Sequence, residues 1–133
     1  MSPYFWIFLG SGLGGLARHA AAVFFLQRFG EMFPWGTFFV NVSGSFAIGF
    51  LASLAAPDGR PLLGPAARSF LMIGVLGGFT TYSSFSLQTL TLAREGEWLR
   101  AGGNALGTFA LCFVAVWLGH LCAAWVNTLR SQS

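Results

Sequence analysis

The residues able to do chemistry in this chain are mostly neutral, and they sit inside apolar runs. The densest group is Gly74-Val75-Leu76-Gly77-Gly78-Phe79-Thr80-Thr81-Tyr82-Ser83-Ser84-Phe85-Ser86, paired glycines followed by hydroxyls interleaved with aromatics. Gly is about 1 kcal/mol less favourable than Ala in a helix, and Thr and Ser hydroxyls compete for backbone carbonyls. The segment therefore either breaks its helix or continues it with hydroxyls bonded back to the preceding turn. A broken helix at membrane depth frees carbonyls for cations and half-helix N-termini for anions. It is tolerated only where it is buried in protein or lines a wet cavity. Asn41 lies in a second run, within Gly36-Thr37-Phe38-Phe39-Val40-Asn41-Val42-Ser43-Gly44. Its amide is costly in hydrocarbon unless paired, so it either bonds a neighbouring helix or lines a pore. Arg18 in the first run either snorkels toward headgroups or attracts anions to a wet vestibule. Asn104 and Thr108, one helical turn apart, share a face with Cys112 in the last run. His19 and His120 have no acidic or Cys partner at ligand spacing, which speaks against a metal site built on them.

The elements that must carry these residues are membrane spans. Of 133 residues, 55% are hydrophobic and 8% charged, against about 25% charged in a typical soluble domain. Four acids and seven bases cannot coat a small soluble fold, which must keep much of its surface wet. A soluble enzyme, a disordered chain and a disulfide-stapled secreted domain all fit poorly. Cys112 and Cys122, ten residues apart, would lie about 15 Å apart on one helix, too far for a disulfide. The start, Met1-Ser2-Pro3, has no basic region, so the first apolar run is expected to stay as a span rather than be cleaved as a signal.

A bilayer core about 30 Å thick needs roughly 20 apolar residues per helix. The runs of that length cover about Tyr4 to Leu26, Thr37 to Ala56, Ser69 to Ala93 and Gly102 to Leu129. The expected fold is an all-α membrane protein, a single transmembrane domain over residues 1–133 with four spans. Pro34, Pro57, Gly59, Pro61, Pro65 and Gly96 mark its loops. Trp6, Trp35, Trp98 and Trp125 fall near span ends, where amphipathic rings prefer to lie. All four acids, Glu31, Asp58, Glu95 and Glu97, fall in loops. Gly10, Gly12, Gly14 and Gly15 in the first run, Gly44 and Gly49 in the second and Gly74, Gly77 and Gly78 in the third are expected to let helices approach closely. Four tightly packed helices enclose little space, so a pore would need a second subunit.

The bases are all Arg and lie singly between apolar runs, which argues against nucleic acid as a partner and for lipid headgroups and water. Arg60, Arg68 and Arg130 fall on the side of the termini, and Arg28, Arg94 and Arg100 on the other, with Arg18 near that second side. Orientation follows a bias in such counts, and there is almost none. The chain inserts both ways, unless the balance is chance in a small count.

Three motifs carry a family resemblance: Gly14-Gly15-Leu16-Ala17-Arg18, Gly36-Thr37-x-x-x-Asn41, and the Gly74 to Phe85 segment. They resemble the Fluc/CrcB fluoride channels over nearly the whole chain. The resemblance implies an antiparallel, dual-topology homodimer in the cell inner membrane, with a break in the third span and two fluoride pores. It implies that Gly77 and Thr80 give backbone carbonyls from both subunits to a central structural sodium ion. Asn41 would line the pore as an amide donor. Tyr82 and Phe85 would hold the aromatic positions, Ser83 and Ser84 the hydroxyl track beside them, and Thr108 a polar position on the fourth span. Arg18 would serve a vestibule or structural role. The chain departs from the pattern at Tyr82, where Phe is usual, and at Cys112, where a hydroxyl is expected.

The chemistry suits those residue types. Neutral donors replace fluoride's water shell without trapping it, and aromatic ring edges carry partial positive charge. The rivals are a small dual-topology transporter and a structural assembly subunit. A proton-coupled transporter needs an ionisable group in the membrane, usually a carboxylate, and every acid here is in a loop. An intramembrane enzyme would need a nucleophile with its base or a metal, and neither His has a suitable neighbour in sequence.

Overall fold

The computed structural model describes all residues, Met1–Ser133, and the chain is all-helical. Helix α1 (Pro3–Phe29) starts where Ser2 caps the Tyr4 N–H and Pro3 takes the first turn, a position where its missing N–H costs nothing. It ends at Gly30, whose φ of 77° is a conformation glycine adopts readily. Helix α2 (Trp35–Ser53) follows Pro34. After a loop turned at Gly59, the third span runs from Pro65 to Arg94 in pieces. These are α3 (Pro65–Arg68), a π-helical stretch (Ser69–Val75), α4 (Leu76–Phe79) and α5 (Tyr82–Arg94). Gly96, at φ 80°, turns the chain into α6 (Trp98–Gln132).

Four helical stretches are long and apolar enough to cross a membrane: Pro3–Phe29, Trp35–Ser53, Pro65–Arg94 and Trp98–Gln132. They correspond to the four apolar runs. The first, third and fourth extend beyond those runs at both ends, because boundary residues such as Arg28, Arg68, Arg94 and Arg130 continue the helices outward. Only 17 of 133 residues are buried, and large apolar side chains such as Phe8, Leu16, Phe113 and Trp117 point outward. That pattern is wrong for water and right for lipid, where apolar surface needs no cover.

What holds the helices together is backbone approach at glycine. Gly10 and Gly14 on α1 pack on the backbone of Gly74, Val75 and Phe79, and Gly74 and Gly78 pack back on the backbone of Gly10, Ser11 and Gly15. A Cβ on Gly10 would stand 2.9 Å from the Gly74 Cα, and one on Gly14 would overlap the Val75 carbonyl. Both pairs are spaced four apart, so each helix presents a flat stripe to the other. A second contact joins α2 to α6, with Gly49 against Val116 and Gly119 against Phe46 and Phe50. Ala115 and Ala123 continue that stripe and are buried. Not every span glycine packs this way: a Cβ on Gly12, Gly15 or Gly77 would meet open space.

Replacing Gly14 by Val tests the stripe. The obstacle is the Val75 carbonyl, which cannot move aside as a side chain can. Overpacking of this kind costs about 1–3 kcal/mol. Gly14→Val should melt clearly below the parent in detergent, while Gly12→Ala should not.

Candidate functional site

Between α4 and α5, Thr80 (φ −85°, ψ 160°) and Thr81 (φ −154°, ψ 124°) have extended backbone. The hydrogen bonds around this pair can be followed group by group, since each buried polar group needs a partner. The Thr80 N–H and its hydroxyl both donate to the Leu76 carbonyl, at 3.0 and 2.9 Å. The Thr81 N–H, which in a continuous helix would reach the Gly77 carbonyl, donates instead to Asn41 Oδ1 at 2.8 Å. The Ser84 N–H, which would reach the Thr80 carbonyl, donates instead to Thr81 Oγ1 at 3.2 Å, capping α5. The Gly77 and Thr80 carbonyls thus lose their helical donors to side-chain oxygens. The Gly78 carbonyl is taken by Arg18 Nε at 3.0 Å.

Asn41 is the pivot. It is buried on α2, accepts from the Thr81 N–H, and donates through Nδ2 to the Thr81 carbonyl at 2.9 Å. Both ends of the amide clamp one residue's backbone. An amide nitrogen carries two N–H groups, and no second acceptor within the chain engages Asn41 Nδ2.

A cavity of about 590 Å³ opens beside this clamp. Asn41, Gly77, Thr80, Tyr82, Phe85 and Thr108 line it, together with Thr81, Cys112 and apolar side chains. Its wall contains no charged residue. Tyr82 and Phe85 meet edge to face, with ring centroids 5.7 Å apart, and Tyr82 is 81% exposed. Thr108 is buried and donates to Asn104 Oδ1 at 3.4 Å.

The remaining candidates lie elsewhere. Ser83 and Ser84 are not in the cavity wall; Ser83 Oγ lies 3.5 Å from Thr81 Oγ1. Arg18 approaches the third span at Gly78, whereas Gly77 faces the cavity, so its guanidinium contacts helix backbone instead of cavity wall. His120 Nδ1 pairs with Ser53 Oγ at 2.7 Å. The four carboxylates fall outside the helices.

Sequence reading gave neither Thr81 nor Asn104 a role of its own. Thr81 is the clamped and capping residue, and its signal was adjacency to a helix start: a Thr three residues before Ser84 is a cap position. For Asn104, the one polar side chain with no exposed surface at all, the stripe shared with Thr108 was the hint.

Comparison with known proteins adds the family. A model of the family described as CrcB-like protein, Camphor Resistance (CrcB), matches residues 5–120. A protein of Opitutus terrae named fluoride-specific ion channel FluC is 58% identical over 132 residues, covering 99% of this chain and 100% of its own. Proteins of the same name from Methylocella silvestris and Paramagnetospirillum magneticum are 54% and 48% identical over 127 residues each. Those two matches cover 96% of this chain, and 97% and 99% of theirs. With four helices fit to cross a membrane, this is a multi-pass membrane protein. The family match runs through three of those helices and into the fourth, past every residue of the clamp and the cavity wall, and on that extent the chain belongs to the CrcB-like family.

Proposed function

We propose that the chain forms a fluoride-selective channel that lets fluoride leave the cytoplasm passively across the cell inner membrane. The observation that carries this reading is a cavity wall of neutral donors and ring edges, without a fixed charge, in a relative of proteins named fluoride-specific ion channels. The family is one of ion channels, not enzymes.

Fluoride must shed much of its water to enter a narrow pore. The uncommitted N–H of Asn41 replaces some of that hydration, while the Thr108 hydroxyl lines the route with its proton given to Asn104 Oδ1. The edges of Tyr82 and Phe85 supply partial positive charge without a fixed cation. An ion met only by neutral groups can also leave. Ser83 and Ser84 continue the hydroxyl track beyond the cavity. An inside-negative potential favours expulsion of one negative charge by about 2.3 kcal/mol per 100 mV.

The cavity is open on one side, as the exposure of Tyr82 attests. A second, antiparallel copy would close it and create two pores. The near balance of arginines on the two sides supports that arrangement. The extended pair Thr80-Thr81 acts as the break in the third span. The Gly77 and Thr80 carbonyls fit a central sodium ion, because both have lost their helical donors and a hard cation takes oxygen ligands. Two carbonyls from each copy would hold it. The ion would supply positive potential near the pores and tie the subunits together.

Purified protein in liposomes should release fluoride and retain chloride; equal rates for the two would reject the reading. Phe85→Ile should slow fluoride while keeping the site apolar. A lost ring-edge contact of about 0.5–1.5 kcal/mol corresponds to roughly two- to tenfold in rate. Tyr82→Phe, which keeps the ring edge, should stay conductive. Normal fluoride release from Phe85→Ile would remove the ring from the pathway.

A further inference from the structure

We propose that Asn104 is a positioning residue for the ion pathway, tying α6 to α5 so that the turn carrying Phe85 holds a fixed place opposite Thr108. This rests on the channel reading above and deepens it.

Asn104 is 0% exposed. An amide so placed is retained only if its groups are paired. Nδ2 donates to Thr89 Oγ1 at 2.9 Å, and Oδ1 accepts from Thr108 Oγ1 at 3.4 Å. The Thr89 hydroxyl passes its own proton on to the Phe85 carbonyl at 2.8 Å. One line of hydrogen bonds thus runs from Thr108 through Asn104 and Thr89 to the backbone of Phe85, with every donor pointing the same way. Bonds so aligned polarise and strengthen one another. The ends of the line, Thr108 and Phe85, are in the cavity wall, whereas Asn104 and Thr89 stand behind it.

The tether has a reason to exist. Helix α5 begins directly after the extended Thr80-Thr81, so no continuous helix connects it to the glycine-packed first half of the third span. Asn41 fixes its N-terminal end through Thr81. Asn104 to Thr89 is the one side-chain hydrogen bond between α5 and α6. The Gly96 turn joins the other end of α5 to α6, so the bond in the body sets how α5 rolls and leans against α6 between those two ends.

The test is a double-mutant cycle on fluoride release from liposomes, with assembly checked by gel filtration and melting. Asn104→Leu keeps the volume and removes the tie, and it strands no hydroxyl, because Thr89 retains its bond to Phe85 and Thr108 can bond back to the preceding turn. Asn104→Leu and Thr89→Val should each slow fluoride by roughly fivefold, the scale of one net hydrogen bond. The double variant should be no slower than either single, because the same bond is lost. Thr89→Ser, which keeps the hydroxyl, should conduct like the parent. If Asn104→Leu does not assemble, the Thr89→Val and Thr89→Ser pair decides alone. Normal flux in Thr89→Val, equal loss in Thr89→Ser, or losses that multiply in the double variant would overturn the tie while leaving the channel reading intact. A parent protein that passes no fluoride would overturn both.

Discussion

Asn41→Asp is expected to stop fluoride permeation almost completely. The amide accepts from the Thr81 N–H at 2.8 Å and donates to the Thr81 carbonyl at 2.9 Å. A carboxylate retains the first bond and turns the second into a repulsion between two oxygens. It also places a fixed negative charge in a wall that has none. Two unit charges about 4 Å apart interact by about 4 kcal/mol at an effective dielectric constant of 20. A barrier of that size slows passage roughly a thousandfold. Liposome flux measures it, on protein that still elutes as the parent does. Asn41→Leu separates the two causes: it loses the clamp without adding charge, so it should melt lower yet stay above Asn41→Asp in flux. A folded Asn41→Asp variant with parental flux would put Asn41 outside the ion's route.

Two variants locked in opposite orientations should each fail alone and succeed together. Arg60, Arg68 and Arg130 mark one face and Arg28, Arg94 and Arg100 the other, so a small added bias decides which face stays inside. Each face also carries one exposed ion pair, Asp58 with Arg60 at 2.7 Å and Glu97 with Arg100 at 3.3 Å. Adding two Lys to the loop between the second and third spans should hold that face in the cytoplasm. Adding two Lys near Arg94 and Arg100 should hold the other. A single orientation cannot form an antiparallel pair, so neither variant should protect a fluoride-sensitive cell. Co-expression should restore growth, which a misfolded variant could not do. Full protection by one variant, with reporter fusions confirming a single orientation, would demand a parallel assembly instead.

The spans were legible because lipid imposes a simple requirement, about 20 apolar residues per crossing, and the chain meets it four times. The clustering of Asn41, Tyr82, Phe85 and Thr108 around one cavity was reached through family motifs, since residues on three different helices carry no shared periodicity. Which glycines pack was not legible. Gly10, Gly12, Gly14 and Gly15 look alike in sequence, and only the rotation of α1 against the third span makes Gly10 and Gly14 the contact. The π-helical stretch at Ser69–Val75 left no mark in residue type either. The dual role of Asn41 was half visible: the cost of a buried amide predicted a partner, but not that the partner would be the backbone of Thr81.

The bond from Arg18 to the Gly78 carbonyl has a consequence in time. Its two residues are 60 positions apart. At a synthesis rate of about 5–20 residues per second, roughly 3–12 s pass between the making of the guanidinium and the making of its acceptor. Through that interval the first span carries a charge whose cost at the centre of a helix is about 2.5–3.5 kcal/mol on insertion scales. A newborn α1 therefore carries a penalty, softened where the side chain snorkels toward the nearer face, that its own residues do not remove. The penalty falls when the third span arrives with an open carbonyl and a matching glycine face. The N-terminal helix is made first, and its set of contacts is complete only once the third span is present.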